Sequence, residues 1–170
     1  DADRAGVTMR LINVSIAMVL IGAIGALMPS AMRRGYVLAI LAAWTPMGIY
    51  FIASNNPSSW AFTGVFAFAA GLWSATQSYG WRRWSLLGAA ALGAVLSCTS
   101  RGDSAFFLFV ITVALAFAVR WRREHWPEAT LAIVASIIGI IIMRSTNVAS
   151  THLTTAQGES RPLINLLGDK

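Results

Sequence analysis

Polar residues along this chain fall in short clusters. Between them run apolar stretches too long and too evenly apolar to show the period of a half-buried helix or strand. Six stretches are predicted as helices, at about 9–28, 36–53, 60–79, 85–100, 105–119 and 129–143, with ends placed to about 2–4 residues. Pro29 stops the first, and Pro46 is expected to kink the second by freeing a backbone carbonyl. The last three are short for a full bilayer, so their polar ends and flanking arginines must snorkel, or the bilayer must thin. GAIGA at 22–26 and the Gly88 to Gly93 region supply small residues for close helix approach. The fold class predicted is all-α: a polytopic membrane helical bundle of about six transmembrane helices with short loops, followed by an outer polar segment over 144–170.

Composition removes the soluble alternative. Hydrophobic residues make up 56% of the chain, charged residues only 12%, and the mean hydropathy is +0.64, more apolar surface than a soluble domain of this size can hide.

Charge then sets the expected orientation. The net charge of +6 comes mostly from arginines grouped at the ends of apolar runs, with no basic groove and interleaved aromatics of the kind that binds nucleic acid. Arg33 and Arg34 fall between the first and second stretches, Arg82 and Arg83 between the third and fourth, and Arg120, Arg122 and Arg123 between the fifth and sixth. The alternate turns, NNPSS and RGD, hold only Arg101. By the positive-inside rule the arginine-rich connections are cytoplasmic, and both chain ends and the two sparse turns lie outside. Arg4, Arg10, Arg144 and Arg161 on that outer side oppose the bias without reversing it. Trp60, Trp81, Trp84, Trp121 and Trp126 fall at the expected interfaces. The chain opens DADRAG without an initiator methionine or a secretory pattern, and is read as an internal fragment of a longer polytopic protein.

Candidate chemistry is sparse. Cys98 is a lone cysteine in an apolar run, and His125 and His152 are placed in separate loops, so no metal-ligand set is expected and no cofactor is evident. In SCTSRGDSAFF, residues 97–107, Arg101 and Asp103 are either the hinge of a helical hairpin or a charged contact for a lipid phosphate at the outer face. In SNNPSS, residues 54–59, Asn55 and Asn56 either bind sugar hydroxyls or a phosphate, or form a turn that caps the next helix. Arg10 and Asn13, one turn apart, either reach a polar site or serve as an interfacial arginine and a helix-packing asparagine. The arginines of the inner connections fit anionic lipid contact as well as topology.

The run MRLINVSIAMVL, a basic turn, WTPMGIYFIASNNPSS and then TSRGDSAFFLF resembles the bacterial membrane proteins of domain-of-unknown-function family 2142, over about Arg10 to Phe117. Thr45, Pro46 and Met47, followed by Ser54, Asn56 and Pro57, carry the most specific part. The resemblance implies a multi-pass protein of the bacterial cytoplasmic (inner) membrane, similar to integral-membrane glycosyltransferases that use a polyprenyl-phosphate-linked sugar for cell-envelope glycan assembly. In such enzymes an acidic residue on the first outer loop acts as base or metal ligand. That loop would precede Asp1, unless Asp1 and Asp3 are its end, and a divalent metal ion would belong to the longer parent. Relatives place a glycine and then an acidic residue after NPS, whereas this chain reads SWAFTG.

On that implication Asp103 is the candidate catalytic base, Arg101 and Arg10 the contacts for the donor phosphate, and Asn55 and Asn56 the sugar contacts, with membrane lipids as the other partners. Two further classes stay open, a transporter or lipid flippase and a non-catalytic membrane scaffold subunit. The scarcity of ionisable residues in mid-span counts against the first of these.

Overall fold

The computed structural model describes residues 2–43, 45–56, 58–100 and 103–157. Among them the regular elements are all helical: α1 (Ala2–Leu27), α2 (Ser30–Ala43), α3 (Pro46–Ile52), α4 (Ser58–Thr76), α5 (Gly80–Ser100), α6 (Ser104–Ala118) and α7 (Trp126–Gln157), with one 3₁₀ turn at Arg123–His125 before α7. The six predicted stretches map onto these seven helices because the second is broken and not merely kinked. Proline lacks the donor that would continue the α2 ladder and is tolerated in a first helical turn, so α2 ends at Ala43 and α3 restarts at Pro46. Helix ends also differ from expectation. α1 begins seven residues before Met9, and α7 continues to Gln157, past the expected helix end at Met143 and into the segment read as an outer polar one, so His152 lies in a helix and not in a loop.

Two helix pairs form the body, α4 with α5 and α6 with α7, and α1 and α3 pack against α4. The α4–α5 pair is the tightest because two glycines meet. A Cβ on Gly64 would lie 2.5 Å from the Gly93 carbonyl oxygen, and one on Gly93 would lie 2.6 Å from the Gly64 carbonyl oxygen. Only hydrogen at both positions lets the backbones touch. Gly93 lies within the predicted close-approach region; Gly22 and Gly88 face open space instead. Around this seam Ile24, Phe68, Leu72, Leu86 and Leu108 are fully buried. α6 and α7 are joined by a polar contact within the apolar layer, Thr112 Oγ1 to Ser136 Oγ at 2.8 Å.

α2 stands apart from this body. Tyr36 is its one buried residue; the phenol donates to the Ile21 carbonyl at 2.8 Å, and its ring tilts against Phe66. Apolar clefts open on both sides of that anchor.

The outside of the bundle is itself apolar. Val19 is 71% exposed, Leu38 66% and Phe117 88%, which suits hydrocarbon and not water. Among the described residues two helical segments are long and apolar enough to cross a membrane, Arg4–Leu27 and Arg123–Ser145, and Phe106–Ala118 is a shorter apolar segment. At 1.5 Å per residue α6 is only about 22 Å long, against a hydrocarbon core of about 30 Å.

Candidate functional site

The helices run back and forth, and this gathers the polar turns at two opposite ends. One end holds the N-terminal half of α1, residues 53–56, the start of α4, the end of α5 and the start of α6. Asn13 builds the first part of it. Buried at 7% exposure, its amide nitrogen donates to the Ser54 carbonyl at 2.9 Å, and its side-chain oxygen accepts from Trp60 Nε1 at 2.7 Å. Three segments are thereby tied together by one carboxamide, the packing role read from the sequence. We expect Asn13→Ala to cost about 1–2 kcal/mol, since it strands a ring donor and a carbonyl in a low-dielectric layer. Unfolding in mixed micelles, with Trp60 emission as a second readout, checks this; unchanged stability would show that Ser54 and Trp60 find other partners.

The sequence candidates at this end are placed as follows. Arg10 is exposed on α1. Asn55 is exposed and donates to the Gly6 carbonyl at 3.3 Å. The side-chain oxygen of Asn56 accepts from both the amide and the hydroxyl of Ser58, each at 3.0 Å, and its carbonyl accepts from the Ser59 amide at 2.9 Å. That arrangement is a helix cap, satisfying the first amides of α4. Asp103 is exposed immediately before α6, its carbonyl accepting from the Phe106 amide at 3.1 Å. The Ser97 carbonyl accepts from Ser100 and Ser104 hydroxyls and closes the α5–α6 turn. Arg101 lies outside the described residues. Because the Gly64–Gly93 contact sets the start of α4 beside the end of α5, Asn55, Asn56 and Asp103 share one end with Arg10.

The opposite end collects the start of α2, the start of α5 and the α6–α7 connection, so Arg33, Arg34, Arg82 and Arg83, expected between helices, lie within those helix starts. Arg33, Arg34, Arg82, Arg120, Arg122 and Arg123 are exposed there, within a fringe of exposed Tyr79, Trp81, Trp84 and Trp126 that matches an interfacial aromatic belt. Arg83 does something different. Its Nε lies 2.5 Å from Glu128 Oε1 and its Nη2 lies 2.7 Å from Oε2, a two-pronged pair, and Nη2 also donates to the Glu124 carbonyl. Glu128 is 1% exposed and Arg83 19%. The carboxylate sits in the first turn of α7, where the helix dipole favours a negative charge. Sequence reasoning missed this pair, although a signal was there: Glu128 follows Trp126 and Pro127 at the mouth of an apolar run, a position where an acid needs a cation.

Among the described residues no three His, Cys, Asp or Glu side chains come together in a way that would hold a metal ion. A family model described as "Predicted membrane protein (DUF2142)" matches residues 1–165. No curated protein and no solved structure matches the chain.

Proposed function

Because this chain belongs to the DUF2142 family of predicted membrane proteins, we propose that it forms a bundle crossing the bacterial inner membrane six times, with α2 and α3 together making one crossing. In this reading the end bearing Arg10, Asn55 and Asp103 faces outward and receives the phosphate and sugar of a polyprenyl-phosphate-linked donor. The observation that carries it is the convergence of these residues, from three separate parts of the chain, on the end away from the arginine-rich connections. Arginine supplies charge-assisted hydrogen bonds to a phosphate at head-group level, through Arg10 and Arg101. In this reading Asp103 takes the proton from an acceptor hydroxyl. Of the two asparagines, Asn55, whose amide nitrogen is held by the Gly6 carbonyl, presents its side-chain oxygen to the sugar, and Asn56, whose oxygen is engaged with Ser58, presents its amide nitrogen.

The test is binding of a polyprenyl-phosphate sugar to the detergent-purified protein. Arg10→Ala and Arg101→Ala should each weaken it about tenfold, the worth of a hydrogen bond to a charged group, while Asp103→Ala should leave binding intact and abolish sugar transfer. If the folded protein does not bind the donor, the reading falls and the scaffold alternative takes its place.

A further inference from the structure

We propose that the cleft between α2, α4 and α6 binds one acyl chain of an anionic phospholipid, with the head group held by the arginines at the same end of the bundle. The cleft measures about 510 Å³, within the roughly 300–1,000 Å³ of ligand-sized sites. Small side chains make it: Gly35 and Ala39 on α2, Ala70 on α4 and Ala114 on α6 leave a trough, and Trp73, half exposed, flanks it. The trough persists because α2 is held to the body through Tyr36, so the walls are not pulled together along their length.

Two features select the occupant. The first is charge. Exposed Arg33, Arg34, Arg82, Arg120, Arg122 and Arg123 rim this end, whereas of the two acids there Glu128 is spent on Arg83 and exposed Glu124 lies 3.7 Å from Arg122. Arg33 turns to the second cleft, on the α1 side of α2, where it donates to the Ala26 carbonyl at 3.2 Å, so the phosphate at this cleft falls to the other exposed arginines of the rim. A neighbouring helix or a second copy of the chain would cover the apolar trough equally well, but neither has use for a cationic rim; an anionic lipid matches both parts. The second feature is Ser74, fully buried in the cleft wall with a hydroxyl that has no hydrogen-bond partner in the structure. It lies less than one turn from the end of α4, the depth of glycerol esters, whose carbonyls accept from such a donor. The proposal concerns the end opposite the donor-binding turn and does not depend on it.

The experiment uses the purified protein in phosphatidylcholine vesicles containing a small fraction of lipid brominated on its acyl chains, carried either on phosphatidylglycerol or on phosphatidylcholine. Bromine quenches tryptophan at contact, and Trp73→Phe identifies the Trp73 share. We expect quenching of Trp73 to saturate at low phosphatidylglycerol content and to exceed that by phosphatidylcholine at equal fraction. Ala70→Phe and Ala39→Phe, which fill the trough from opposite walls, should abolish the excess with helicity unchanged. Arg34→Gln combined with Arg120→Gln should weaken the preference about fivefold per charge removed. Equal quenching by the two lipids would overturn the proposal in favour of an ordinary lipid annulus. Shielding of Trp73 from both, or an excess that survives both trough-filling variants, would overturn it in favour of a protein neighbour or a site elsewhere.

Discussion

Arg83→Ala should lower the unfolding free energy by about 3 kcal/mol, the lower part of the range for breaking a buried ion pair. The cost arises on the partner. Glu128 stays where it is, 1% exposed, with its carboxylate stripped of the two guanidinium hydrogen bonds. Glu128→Ala is expected to cost clearly less, because Arg83 is partly exposed and its long side chain can swing its charge into the head-group layer. The double variant should recover part of the Arg83→Ala loss, since removing both charges leaves nothing stranded. The hydrogen bond to Glu128 raises the already high Arg83 pKa. A cation whose folded pKa is raised contributes stability that is complete below its unfolded pKa and fades only as pH rises through the folded value, so Arg83 adds no pH dependence around neutrality. Denaturation in mixed micelles of increasing harshness measures all three variants. An Arg83→Ala loss below about 1 kcal/mol would put the pair in the class of surface bridges.

Gly93→Ala and Gly64→Ala should each destabilise the bundle by about 1–3 kcal/mol. The added methyl would stand 2.6 Å or 2.5 Å from the opposing carbonyl oxygen, and also 2.7 Å from a backbone nitrogen, Phe68 in one case and Ser97 in the other. Backbone cannot step aside as a flexible side chain can, so α4 and α5 must separate and lose contact along the seam. Both substitutions open the same gap, and the pair should therefore cost less than the sum of the two. Gly88→Ala is the control, because a Cβ there meets nothing within 4 Å, and in mid-helix alanine is the better residue by about 1 kcal/mol. Equal effects at Gly88 and Gly93 would mean that the loss reflects the helix and not the seam.

Some of the candidate chemistry is legible in the order of residues alone. Asn13 is readable as a packing asparagine because a carboxamide in an apolar helix must find partners, and it does so in Ser54 and Trp60. The capping alternative at SNNPSS is readable because Asn and Ser before a helical run satisfy its first amides, and Asn56 with Ser58 does this. The Arg83–Glu128 pair is not, since its members stand 45 positions apart and nothing local tells which of the arginines at that end an acid will meet. At Pro46 the expected kink is a full break. Proline marks the place, but whether a helix bends or restarts depends on what its neighbours can hold.

The run of apolar and polar residues settled what local physics settles: helices, their approximate number, and arginines gathered at alternate helix ends, because hydropathy and backbone satisfaction act within a single stretch of chain. Partnership was decided by the folded bundle. That Gly64 meets Gly93, that Arg83 rather than Arg82 holds Glu128, and that α2 stands off on Tyr36 leaving a trough beside it all depend on helix rotation and crossing. These are fixed by the interlocking of side chains from distant segments, and every apolar helix face offers lipid and protein much the same transfer energy.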